Sequence, residues 1–105
     1  MSLRILTGVL VPPAANQVGG PHTATINFNP HGVAGAAAGV DLNERGDNGD
    51  FDAPPGSVLA IRQADGGGQI TIDNGPLTVA SMDVQWTVGV GASLQEISYM
   101  IVGEA

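Results

Sequence analysis

The sequence predicts an all-β fold: an antiparallel sandwich or barrel of about six or seven strands in one domain, with one long irregular loop. Three observations predict it. Residues 78–90 alternate strictly, with Thr78, Ala80, Met82, Val84, Trp86, Val88 and Val90 on one parity and Val79, Ser81, Asp83, Gln85, Thr87 and Gly89 on the other. That is the period of a half-buried strand whose Trp86 side faces a core. Short apolar runs recur between Gly, Pro and Asn punctuation, and no stretch carries the period of an amphipathic helix. A chain of 105 residues buries enough apolar surface to fold unaided, with little margin.

Taken in order, Leu3 to Val11 reads as the first strand, stopped by Pro12-Pro13, and residues 1–15 form a candidate N-terminal arm. Leu3, Ile5 and Val9 share one parity and Leu6 and Leu10 the other, so both faces seek burial. A terminal strand of this kind, followed by the turn-rich stretch Asn16 to Pro21, suits pairing with a neighbouring chain's sheet edge. Leu3, Ile5, Leu6, Val9 and Leu10 are therefore the expected interface residues. His22 to Phe28 alternates, with Ala24, Ile26 and Phe28 opposite Thr23, Thr25 and Asn27, and Asn29-Pro30 ends it.

Residues 29–56 read as one long loop whose larger apolar residues are only Val33, Val40, Leu42 and Phe51. Ala36-Ala37-Ala38 has room for one helical turn, fenced by Gly35 and Gly39. Ser57 to Gln63 is the next apolar run, and Asp65-Gly66-Gly67-Gly68 turns the chain into Gln69 to Asp73. Asn74-Gly75 is a hairpin signal weakened by Pro76, because a residue before proline is driven towards extended backbone. The long strand from Leu77 follows, Gly89 to Ser93 reads as a turn, and Leu94 to Val102 closes the chain with Ile97, Tyr99 and Ile101 on one side.

Composition restricts the partners. Arg4, Arg45 and Arg62 are the only lysines or arginines against ten carboxylates, for a net charge of −7. Nucleic acid and anionic membrane surfaces are recognised by clustered Lys and Arg, so neither is an expected partner. Cysteine is absent, which removes disulfides, thiol nucleophiles and thiolate metal sites and leaves the redox compartment open. The apolar run Ile5 to Val11 is short for a secretory signal, and no segment approaches membrane-spanning length. Charged residues are 12% of the chain, half the share of about 25% usual in soluble domains. So little charge leaves either an exterior of small polar residues or extensive burial against other subunits, and a homo-oligomer is expected.

The search for chemistry returns few candidates. Asp41, Asn43, Asp47 and Asp52 fall at the first, third, seventh and twelfth places of a twelve-residue window with Gly46 at the sixth, the spacing of a calcium loop. Arg45 occupies the fifth place, where an oxygen ligand is needed, and the simpler reading is a solvated acidic loop. No cofactor is expected. His22 and His31 belong to no catalytic pattern and read as surface or interface hydrogen-bonders. Asp83 and Glu96 would serve as a carboxylate pair only if their strands adjoined. Gly66-Gly67-Gly68 is not a phosphate loop, since no Lys follows. Trp86 and Tyr99 could stack on a sugar, but Trp86 shares its parity with Met82, Val84 and Val88 and reads as core.

The proline-punctuated stretch Leu3 to Ala15, the Gly- and Ala-rich Gly32 to Gly39 and the alternating C-terminal half together resemble the small structural proteins of tailed-phage particles, namely capsid decoration proteins and small tail components. The resemblance is one of general character across the chain. It implies a non-enzymatic assembly protein located in the virion, acting as a homo-oligomer bound to other particle or capsid subunits by many weak contacts repeated by symmetry. A carbohydrate-binding β-sandwich, calcium-assisted, is the alternative expectation, and a small hydrolase or isomerase the third.

Overall fold

The computed structural model describes residues 2–34 and 39–105, so the helical turn considered at 36–38 lies outside the described residues. Eight strands form among the described residues: β1 (Leu3–Val11), β2 (Gly19–Phe28), β3 (His31–Val33), β4 (Val40–Arg45), β5 (Gly56–Gly66), β6 (Ile70–Leu77), β7 (Ser81–Val88) and β8 (Ala92–Glu104). A 3-10 turn spans Ala14–Asn16. The strands make two four-stranded antiparallel sheets, β4-β1-β8-β5 and β3-β2-β7-β6, packed together around one core. The all-β expectation holds. The strands beyond the six that the sequence marks are β3 and β4, which lie inside the stretch 29–56 read as a single loop.

Alternation places the core. Ala24, Ile26 and Phe28 of β2 and Met82, Val84, Trp86 and Val88 of β7 face inward from the second sheet. Leu6 and Leu10 of β1 and Leu94, Ile97, Tyr99 and Ile101 of β8 meet them from the first. Phe51 enters from the segment between β4 and β5 and packs edge-on against Phe28 at 5.2 Å, while its N–H donates to the Val79 carbonyl at 2.9 Å. The indole of Trp86, though buried, is satisfied: Nε1 donates to the Asn16 carbonyl at 2.7 Å.

Three sequence expectations need correction. Leu3–Val11 is not a free arm but an inner strand, paired with β8 from Leu3↔Glu104 to Leu10↔Ile97 and with β4 on its other side. Its mixed parity is that of a central strand with apolar residues on both faces. Leu6, Val9 and Leu10 are buried within their own subunit and are not the interface expected of them, whereas Leu3 and Ile5 are exposed. The strand through Trp86 is shorter than its alternation, because the Thr78 hydroxyl accepts the N–H groups of Ala80 and Ser81 at 3.1 Å each and turns the chain there. At the other end Val90 sits in the turn before β8 and is fully exposed. Asn74-Gly75 is not that turn, since β6 continues to Leu77 with a register shift between Asn74 and Leu77. Pro76 is tolerated because β6 is an edge strand.

The other edges are irregular as well. The register of β4 against β1 shifts between Thr7 and Val9, where Asn43 takes the left-handed conformation (φ 56°) that Asn adopts more readily than most residues. That of β5 against β8 shifts on both sides of Gln63, and β3 has only three residues.

The register of β7 carries a direct prediction. Val84→Asp places an unpaired carboxylate in the core and should cost about 3–5 kcal/mol in chemical denaturation. Gln85→Asp, on the exposed side opposite Asp73, should cost under ~1 kcal/mol from like-charge proximity. Equal costs would refute the register.

Candidate functional site

Two features stand out once the strands are in place: a buried polar trio and a pair of chemically opposite outer faces. The trio forms where the β3 and β4 margins of the two sheets meet. His31 opens β3 of one sheet, while Asp41 on β4 and Tyr99 on β8 belong to the other. The Tyr99 hydroxyl donates to Asp41 Oδ2 and bonds His31 Nε2. While Asp41 is ionised the hydroxyl's one proton goes to it, so the hydroxyl accepts from His31 and the imidazole carries its proton on Nε2. His31 Nε2 stands 3.7 Å from Asp41 Oδ2, and the His31 backbone N–H donates to Asn48 Oδ1 at 2.8 Å.

Gly8 makes the arrangement possible. It lies on β1, between the strands of Asp41 and Tyr99, and a Cβ there would collide with Asp41 Oδ1 and the Tyr99 ring and hydroxyl. Both side chains reach over the bare backbone instead.

The electrostatics are those of a closed seam. Burial pushes the Asp41 carboxyl up to about 6, against the lowering effect of the Tyr99 hydroxyl and with a small further rise from Glu44. Its Oδ1 is buried with no hydrogen-bond partner. Burial holds His31 below its ordinary range despite the opposing pull of Glu44. Tyr99 is pushed above its own range, by burial first and then by its bond to Asp41. Burial thus disfavours charge on all three groups, and the trio ties β3 of one sheet to β4 and β8 of the other. A cavity of about 330 Å³ beside the chain ends is lined by Arg4, Ile5, Asp47 and Ala105 among others, and holds none of the three.

The outer faces follow from register. Across the first sheet run the rows Leu42–Val9–Ser98–Ala60, Arg45–Thr7–Met100–Val58 and Ile5–Val102–Gly56. Leu3 (68% exposed), Val58 (58%), Leu42 (47%) and Met100 (40%) lie open on that face. Across the second sheet the rows are Thr23–Gln85–Asp73, Thr25–Asp83, Asn27–Ser81 and Thr71–Thr87. Thr25 Oγ1 donates to Asp83 Oδ1 at 2.8 Å. One outer face is therefore largely apolar and the other is built of hydroxyls, amides and carboxylates.

The remaining candidates are dispersed. Pairing with Leu10 puts Asp41 on the inward parity of β4, Asn43 sits at the bulge, and Asp47 and Asp52 are exposed beyond it. Among the described residues no three His, Cys, Asp or Glu side chains converge to hold a metal ion, so the calcium spacing does not become a calcium cage. His31 is buried rather than on the surface, a correction whose cause is the Tyr99 hydroxyl. His22 is half-buried, 2.7 Å from the Val18 carbonyl and beside the Trp86 ring. Asp83 and Glu96 lie on strands of different sheets and form no pair; Glu96 is instead bonded to Arg62. Sequence reasoning did not join His31, Asp41 and Tyr99, which are up to 68 residues apart. The sign available was Gly8, a glycine inside the apolar run Leu6 to Val11.

The trio predicts a pH signature. A raised carboxyl contributes stability that is full below its ordinary 3.8 and lost as the pH climbs through about 6. A lowered imidazole works the other way, with its contribution full above 6.5 and lost as the pH falls through its depressed value. Asp41→Asn removes only the first. It should raise the melting temperature at pH 8 by about 5 °C, the equivalent of roughly 1 kcal/mol, and give little or no gain at pH 4.5. A gain of the same size at both pH values would count against Asp41 as the buried acid.

Comparison with protein-family models, curated proteins and solved structures found no match to this chain.

Proposed function

We propose that this chain is a non-enzymatic structural protein that works by being assembled. It buries the outer face of its first sheet against neighbouring subunits of a larger particle, with a virion as the setting. The observation that carries the reading is the apolar surface across β4, β1, β8 and β5, where Leu42, Ile5, Met100 and Val58 stand exposed on adjoining strands. A contiguous apolar face is what a subunit interface needs and what a solitary small domain ordinarily avoids. Repetition by symmetry turns many weak contacts of this kind into firm attachment.

The aromatic residues favour assembly over sugar binding. Trp86, Tyr99, Phe28 and Phe51, the four aromatics of the chain, are all buried and offer no exposed stacking platform.

Particles purified from cells that make this protein should contain it in many copies per particle. A folded Val58→Glu/Met100→Glu double variant should stay in the soluble fraction. A wild-type chain that stays out of particles overturns the reading.

A further inference from the structure

We infer that the outer face of the first sheet takes a second copy of this chain, packed back to back about a two-fold axis, so that the pair turns only its polar sheets outwards. The inference rests on the assembly reading above and names the neighbour.

Charge distribution selects the partner. The chain carries −7 overall, yet register places only Asp65, Glu96 and Glu104 of its ten carboxylates on this face. Arg45 and Arg62 stand at its opposite margins, on the β4 and β5 edges, and Arg62 is bonded to Glu96. Two cations against three anions leave the face at −1 and the rest of the molecule at −6. Asp73 and Asp83 are on the opposite sheet, Asp41 is turned into the core, the Glu44 carboxylate lies beside Gly32 of β3, and Asp47, Asp50 and Asp52 lie in the segment between β4 and β5. A cationic partner would be drawn to those acidic regions. An equally anionic copy meets the least repulsion at this near-neutral face, where apolar contact is also available.

The dimensions suffice. Four strands at about 4.8 Å spacing and about 30 Å of β1 give a flat area on the order of 600 Å² per copy, and hence roughly 1,200 Å² in the pair, within the range of specific interfaces. The apolar middle and charged margins match the anatomy of such an interface. A two-fold operation uses the same patch on both copies and closes at two.

Light scattering and sedimentation of the purified chain between about 1 and 100 μM should give twice the 10.5 kDa chain mass. Val58→Glu/Met100→Glu should weaken the dimer by about 100-fold or more, since each change buries unpaired carboxylates, while Thr87→Glu on the polar sheet should leave it intact. Melting curves of each variant separate loss of pairing from loss of fold. Hydroxyl-radical oxidation of Met100 in the wild-type chain needs no variant and should fall as the concentration rises through the dimer transition. A monomer at every concentration, a dimer untouched by the double variant, or oxidation of Met100 independent of concentration overturns the inference. A monomer that still enters particles overturns it while leaving the assembly reading in place. A Met100-protected dimer that stays out of particles supports the face assignment and overturns only that reading.

Discussion

The pairing of the first strand with the last is the constraint on which the rest of the structure depends. Leu3 lies opposite Glu104, and the ladder runs without a break to Leu10 opposite Ile97. Inside it, β2 pairs with β7 in the second sheet. The two central pairs therefore join the ends of the chain, and its middle supplies the four edges. Closing loops of that length costs entropy that is recovered only when both ladders and the core between them have formed. Formation of the sandwich is accordingly a cooperative event: half a sheet has no inner face to pack against.

This division explains what could be read from the sequence. β2, β7 and β8 each show one face to the core, so alternation marks them, and Trp86 and its neighbours fall where the period puts them. The same reasoning misjudges β1, because a central strand whose outer face is also apolar has no single parity to display. β3 and β4 are illegible for a different reason: one is three residues long and the other is bent at Asn43, so neither sustains a period. Among the described residues between Phe28 and Met82, the buried apolar side chains are those of Phe51 and Pro55 alone. An edge strand contributes little to the core and leaves correspondingly little trace in hydropathy.

The polar trio lay beyond sequence reasoning because its members meet only after both sheets close. His31 reads as a surface residue until Tyr99 is placed beside it, and Asp41 reads as part of an acidic loop until its pairing with Leu10 turns it inward. An apolar seam at that margin could slide into several packings of similar energy. A Tyr99 hydroxyl that must give its proton to one neighbour and take another from the next has few arrangements that satisfy it, at the expense of the desolvated Asp41. Stability is spent there on definition of the margin.

The irregular edges have a consequence for how the protein behaves when crowded. A straight, exposed edge strand is a template on which further strands can add without limit, the route by which β proteins turn into fibres. Here β4, β5 and β6 each carry a register shift, β6 contains Pro76, and β3 is too short to guide a newcomer. Lateral polymerisation through backbone hydrogen bonds is thereby disfavoured at these margins. Association is left to side chains, whose contacts saturate. Molecules so built resist nucleating aggregates at high local concentration.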